Sequence, residues 1–321
     1  MLLWRKNMNK FNKSLFLITL CIALSITACS NNNGENSMDD KDVMATVNGK
    51  AISKNEYNQA VAYYKDYIEH QYGEGTWETE AAEGLTFKDH YENYVMDTMT
   101  YRLLLLDAAE KEGIEPTEEE KQNELDNFKI YFQNDEDYKK YLQQSNMTEE
   151  NLVGELSKDI MINQYILSKI ESLNPSDDEL KTIFDDLRMN MQVRASHILV
   201  DTEEEALNVI ERINNGEDFA ELAKELSIDT VSGANGGDLD YFTYEKMVKP
   251  FSDAAFAMKV GEISQPVKSE FGYHIIKLTD SIVDENKTFE TEKSQLVDYY
   301  KTYKYEDLLE KLKSDAEIVI K

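Results

Sequence analysis

Histidine and cysteine are the first places to look for chemistry, and this chain of 321 residues has four of one and two of the other. Cys21 and Cys29 both lie near the N-terminus. His70, His90, His197 and His274 lack the spacing of a metal-ligand set, so no metal and no cofactor are expected. His197 and His274 differ from the other pair in their surroundings. Each sits in a run of β-branched and apolar residues, Val193 to Val200 and Tyr273 to Leu278, which reads as a strand. A histidine near a strand end is more often a satisfied core residue than a catalyst, so these two need independent support from their neighbours.

The elements that must position them begin with a leader. A basic stretch from Arg5 to Lys13 precedes twelve mostly apolar residues, Leu15 to Ile26, too few to span a bilayer, which needs about 20. The pattern is that of a signal peptide over residues 1–28, and Met8 is a second plausible start. Ile26-Thr27-Ala28-Cys29 resembles the bacterial lipobox, which implies that Cys29 takes a diacylglycerol thioether and becomes the new N-terminus. Residues 29–42 then form a polar tether. Cys21 leaves with the leader, so no disulfide is expected. The expected location is the outer face of the cell membrane, held by the lipid.

After the tether come a short apolar segment, Val43 to Val47, a turn at Asn48-Gly49, and helices with readable starts. Ser53-x-x-Glu56, Thr117-x-x-Glu120 and Ser176-x-x-Glu179 are capping boxes, and Gly113 closes a long helix carrying Leu103 to Leu106. Residues 50–188 read as almost wholly helical. Their tyrosines, Tyr63, Tyr64, Tyr67, Tyr91, Tyr94 and Tyr141 among them, recur at helical spacing and read as core or groove lining. From Gln192 the texture changes to strand, capped helix from Thr202-x-x-Glu205, short helix Phe219 to Leu226, a Gly-rich loop Ser232 to Asp238, and a closing strand. This is a small α+β unit. A long charged helix over 288–313 and the strand-like Ile318-Val319-Ile320 end the chain.

Charge excludes some partners. There are 63 Asp and Glu against 34 Lys and Arg, a formal net charge of −29. None of the acids precedes residue 29, whereas Arg5, Lys6, Lys10 and Lys13 do, so the mature chain is more negative still. Such a surface repels nucleic acid and anionic headgroups alike.

Four sets of residues carry a resemblance to a known family. Ala195-Ser196-His197-Ile198-Leu199-Val200, Ser227-Ile228-Asp229 with Asn235-Gly236-Gly237-Asp238-Leu239, Met247-x-x-Pro250-Phe251-x-x-Ala254-Ala255-Phe256, and Phe271-Gly272-Tyr273-His274-Ile275-Ile276 resemble, in order, the motifs of parvulin peptidyl-prolyl isomerases. The anchored helical chain around them resembles the PrsA-type foldases. The resemblance implies an α+β fold in which a parvulin domain, residues 190–282, is inserted in a mostly helical chaperone domain. Residues 43–189 supply the first part of that domain, and the helix and strand of 283–321 complete it by pairing the final strand with Val43 to Val47. It also implies folding secreted polypeptides as partners, and a homodimer with a client-sized crevice.

Rotation about an X-Pro bond passes through a twisted amide that has lost its resonance, over a barrier of about 18–20 kcal/mol. No bond breaks, so the enzyme needs a pocket that favours the twisted state by desolvation and matched hydrogen bonds. The resemblance assigns His197, Asp229 and His274 to the catalytic centre, the histidines as hydrogen-bonded organisers meeting on neighbouring strands. Asp229 falls where parvulins carry Cys or Asp facing the rotating carbonyl. It could tune the histidines or merely cap its loop. Leu239, Met247, Phe251 and Phe256 are the substrate-binding residues around the proline ring, with Ser269 a polar contact to the substrate backbone.

Two positions depart from the pattern. Asp240 stands where a Gly usually follows Gly-Asp-Leu, and Asp201-Thr202-Glu203-Glu204-Glu205 is acidic where phosphate-directed parvulins are basic, so phosphorylated Ser/Thr-Pro substrates meet repulsion. A holdase with a weak or inactive parvulin domain is the main alternative, against which the intact His197, Asp229, Met247, Phe251 and His274 set argues. A solute-binding lipoprotein would need repeated α/β lobes, which the helical flanks do not show.

Overall fold

The computed structural model describes residues 40–82 and 85–321. The leader, Cys29 and most of the expected tether lie outside the described residues. By their internal contacts the described residues form two units, one of residues 174–300 and one of 40–173 with 301–321. The first is therefore an insertion in the second along the chain.

The discontinuous unit opens with β1 (Val43–Val47) and β2 (Lys50–Ser53). Asn48 and Gly49 both adopt positive φ, 49° and 81°, as a two-residue hairpin turn requires. Ser53 and Glu56 form the reciprocal capping box of α1 (Lys54–Tyr72). A small hairpin that the helical reading of 50–188 did not foresee follows, β3 (Glu80–Ala82) and β4 (Leu85–Thr86). Its strands are too short for a period-2 pattern to register. Thr86 then caps α2 (Phe87–Lys111) through a box with Asp89, and Gly113 stops the chain in the left-handed region. Three helices come next, α3 (Glu118–Lys129), α4 (Asp135–Gln144) and α5 (Glu149–Ile166). Leu125, Phe128, Tyr138, Leu152 and Leu156 bury a core between them. Another core joins β1, β2, α1 and α2 through Ala45, Val47, Ile52, Tyr57, Val95 and Leu104.

In the inserted unit α6 (Asp177–Asp186) leads to β5 (Met191–Val200), then α7 (Glu203–Asn214), α8 (Phe219–Leu226) and a single turn, α9 (Thr230–Gly233). After these come β6 (Asp238–Phe242), α10 (Lys249–Ala257), β7 (Val267–Ser269) and β8 (Gly272–Val283). The four strands make one antiparallel sheet in the order β6-β5-β8-β7. Only β5 and β8 were legible in advance, because the edge strands are short and mix polar with apolar residues. One face buries Val193, Ala195, Phe242, Ile276 and Leu278 beneath α10. The other buries Ile198, Val200 and Ile275 beneath α7 and α8. The fold is α+β.

The chain leaves along α11 (Phe289–Ser314), whose last turns belong to the discontinuous unit, and ends in β9 (Ile318–Ile320). That strand lies antiparallel on β1, pairing Ile320 with Ala45 and Ile318 with Val47, so the three-stranded sheet runs β2-β1-β9.

Candidate active site

Alternation along two paired strands brings the histidines together. His197 on β5 pairs with Ile276, and His274 on β8 with Leu199, so the two imidazoles are diagonal neighbours on one face. Their rings stack at 5.3 Å with 19° between planes, and Nδ1 lies 3.1 Å from Nδ1. Both residues are buried.

Asp229 completes the group from outside the sheet. Its Oδ1 accepts from the Val231 and Ser232 amides, capping α9, while Oδ2 lies 2.8 Å from His197 Nε2. One carboxylate thus both caps the turn and contacts His197, an oxygen for each. Ser232, which sequence reasoning passed over, donates its hydroxyl to Asp229 Oδ2 and lies 3.0 Å from His197 Nε2. An Asp followed three residues later by Ser at a helix start was the available signal.

Burial pushes Asp229 up, but hydrogen bonds from Ser232 and His197 outweigh it and hold the carboxyl below its ordinary value. As an ionised acceptor it requires the proton of His197 to sit on Nε2. His197 Nδ1 must then accept, from Nδ1–H of His274. His274 Nε2 in turn accepts from the Ser269 hydroxyl, 2.7 Å away, and Ser269 Oγ accepts from the Phe271 amide at 3.0 Å. Every polar atom is satisfied with both imidazoles neutral. Burial depresses the His197 pKa despite Asp229, and burial with the neighbouring His197 lowers that of His274 to about 4. The Asp229 contact is thus a hydrogen bond to neutral imidazole, although its geometry is that of an ion pair.

The apolar residues stand at unequal depths. Phe251 packs T-shaped on both imidazoles, at 5.7 and 5.2 Å, and is buried. Leu239 and Met247 are half-buried and pack against the same core. Phe256 belongs to that core too, but its ring contacts are Phe242 and Tyr244, away from the histidines. Ser269 donates its hydroxyl to His274 and accepts from the Phe271 amide, at the far end of the bonded line from Asp229. His70 and His90 lie on α1 and α2 of the other unit.

Two features hold β6 against β5. Gly237 has φ +81°, and a Cβ there would fall 2.2 Å from the His197 carbonyl oxygen, so glycine is required. Asp240 adopts φ 56°, the left-handed conformation that the usual Gly would take freely, at the bulge where the register slips between Arg194 and Ser196.

This constellation does not suit bond cleavage. Ser232 and Asp229 address the same imidazole nitrogen, so no proton can pass from serine through the ring to the acid. A neutral, fully bonded histidine pair packed against apolar side chains suits a substrate that changes shape without exchanging protons. A twisted amide is less polar than a planar one, and desolvation favours it.

Known families match both parts of the chain. A model of the PPIC-type PPIase domain matches residues 179–282, which takes in α6, and one of the SurA-like N-terminal domain matches residues 1–166. Foldase protein PrsA of Caldanaerobacter subterraneus subsp. tengcongensis is 36% identical over 267 residues, 82% of this chain and 81% of its own. Its counterpart in Clostridium tetani is 30% identical over 335 residues, 99% of this chain and 97% of its own. The crystal structure of the peptidylprolyl isomerase PrsA from Bacillus anthracis is 26% identical, covering 68% of this chain and 96% of its own at a TM-score of 0.48. The chain belongs to the PrsA foldase family and is a parvulin-type peptidyl-prolyl cis/trans isomerase.

Proposed function

We propose that this foldase works outside the cytoplasmic membrane, anchored by a lipid on Cys29, and isomerises X-Pro bonds in polypeptides that fold after secretion. The observation that carries the catalytic part is the neutral histidine pair packed on Phe251 and bonded from Asp229 to Ser269. In this reading Asp229 faces the carbonyl of the residue before the proline, as the family resemblance implies, and Leu239 and Met247 hold the ring. The lipobox and the short apolar run before it support the anchor. No helix among the described residues is long and apolar enough to cross a membrane. The dimeric state expected from the resemblance belongs to the same proposal.

A protease-free isomerisation assay on unphosphorylated X-Pro peptides, run beside fractionation of cells carrying Cys29→Ala, tests both parts. Acceleration by the unaltered chain and release of the variant from the membrane are expected. No rate above background would favour a holdase, for which Tyr63, Tyr67 and Tyr72, all more than half exposed on α1, offer a surface.

A further inference from the structure

The turn that carries Asp229 also carries apolar side chains that the catalytic arrangement does not use. Ile228, immediately before Asp229, is 42% exposed, and Val231, two residues after it, is 81% exposed. A single exposed valine is ordinary on any protein surface. These two are set apart by what holds them. The Ile228 amide donates to the Leu199 carbonyl, the Val231 amide to Asp229 Oδ1, and the Gly237 amide to the Ser232 carbonyl, while the His197 amide donates to Gly237. The turn and the loop after it are thus bonded to β5 at the catalytic histidine and two residues beyond it, at Leu199. The carboxylate that caps it also holds His197 Nε2 at 2.8 Å. Val231 is therefore an apolar group on a rigid support, one side chain removed from the histidine pair. Being β-branched, it has little rotamer freedom to lose on contact.

We infer that Val231, with Ile228 beside it, is a specificity-determining shelf that receives an apolar side chain of the residue preceding the proline. The inference rests on the reading above that Asp229 faces that residue's carbonyl, since the side chain on the adjacent α-carbon is then within reach of the turn that bears Asp229. No ligand other than the substrate polypeptide is required.

The test is a panel of tetrapeptides Ala-Xaa-Pro-Phe with Xaa as Gly, Ala, Leu or Phe, followed by cis-to-trans relaxation without a coupling protease, on the full chain. The quantity read is the ratio of kcat/KM for Leu or Phe to that for Gly. Val231→Ser is expected to reduce this ratio three- to fivefold, and Val231→Ile to restore it, with thermal unfolding unmoved because the side chain is exposed. Leu207→Ser, also exposed but on α7, is expected to keep the ratio of the unaltered chain. A ratio that Val231→Ser does not change, or that Leu207→Ser changes as much, overturns the shelf while leaving the isomerase reading intact. Absence of catalysis on every peptide by the unaltered chain overturns that reading itself.

Discussion

At the scale of single residues, the site is a line of hydrogen bonds with one proton arrangement. Ionised Asp229 fixes the tautomer of His197, which fixes that of His274, which fixes the hydroxyl of Ser269. A charged His274 would put a proton on Nε2 and force Ser269 to turn its own proton away. The pH dependence follows. His274 has an ordinary value near 6.5 and a folded value of about 4, so the unfolded chain binds the proton first as pH falls. The stabilisation is complete above pH 6.5 and is lost on the way down to 4. We expect the free energy that protects the β8 amides from hydrogen exchange to fall by up to about 3 kcal/mol across that window, and to fall much less in His274→Phe. Met247 is the residue to truncate for activity, because it is half-buried and its loss leaves the floor in place. Met247→Ala is expected to lower kcat/KM about tenfold, equivalent to roughly 1.4 kcal/mol of partial apolar contact, with the unfolding temperature little changed. An unaltered kcat/KM would remove Met247 from the cup.

At the scale of elements, the edge strand β6 is positioned by backbone more than by side chains. Its bulge lets Asp238 meet Ser196 and Tyr241 meet Arg194, with Leu239 turned toward the core. Arg194 forms a two-pronged pair with Asp238, and the Tyr241 hydroxyl bonds to Asp280, tying three strands on one row. Asp240 tolerates its left-handed backbone because a short polar side chain does so at modest cost. Gly237 has no such latitude. Gly237→Ala is expected to cost more than about 3 kcal/mol and to expose the His197 amide to exchange, since the added methyl displaces the carbonyl of that same residue. Exchange at His197 as slow as in the unaltered chain would refute this account of the glycine.

At the scale of the whole molecule, each unit owns its core, and the chain passes out of one and back into it. The return is closed by β9 on β1, by the Asn48 amide donating to the Glu317 carbonyl and by the Lys321 amide donating to that of Met44. Val43, Ala45 and Val47 are buried beneath, so removing β9 would leave β1 as an open edge over a core. Deleting residues 316–321 is expected to destabilise the unit of 40–173 and 301–321 by about 2–4 kcal/mol, a few net hydrogen bonds with their packing. The sheet of β5 to β8 should keep its exchange protection. Concerted loss of both would show that the units do not unfold independently.

Patterns that act within a few residues were open to reading from the sequence. Capping boxes at Ser53, Thr117, Ser176 and Thr202 are local hydrogen-bond geometry, and all four start helices. The β-branched runs of β5 and β8 revealed central strands, since both faces of those strands are covered and few polar residues interrupt them. With the motif order, that was enough for the α+β class and the isomerase. Tertiary structure alone decided the rest. β6 and β7 exist because β5 and β8 offered them edges, not because their own residues demand a strand. Ser232 joined the site because a one-turn helix folded against β5, and Ser269 met His274 because β7 pairs with β8. The neutral state of the histidines belongs to the same class: a pKa is set by the solvent removed and the partners supplied, and those partners include residues 32 and 77 positions away in the chain.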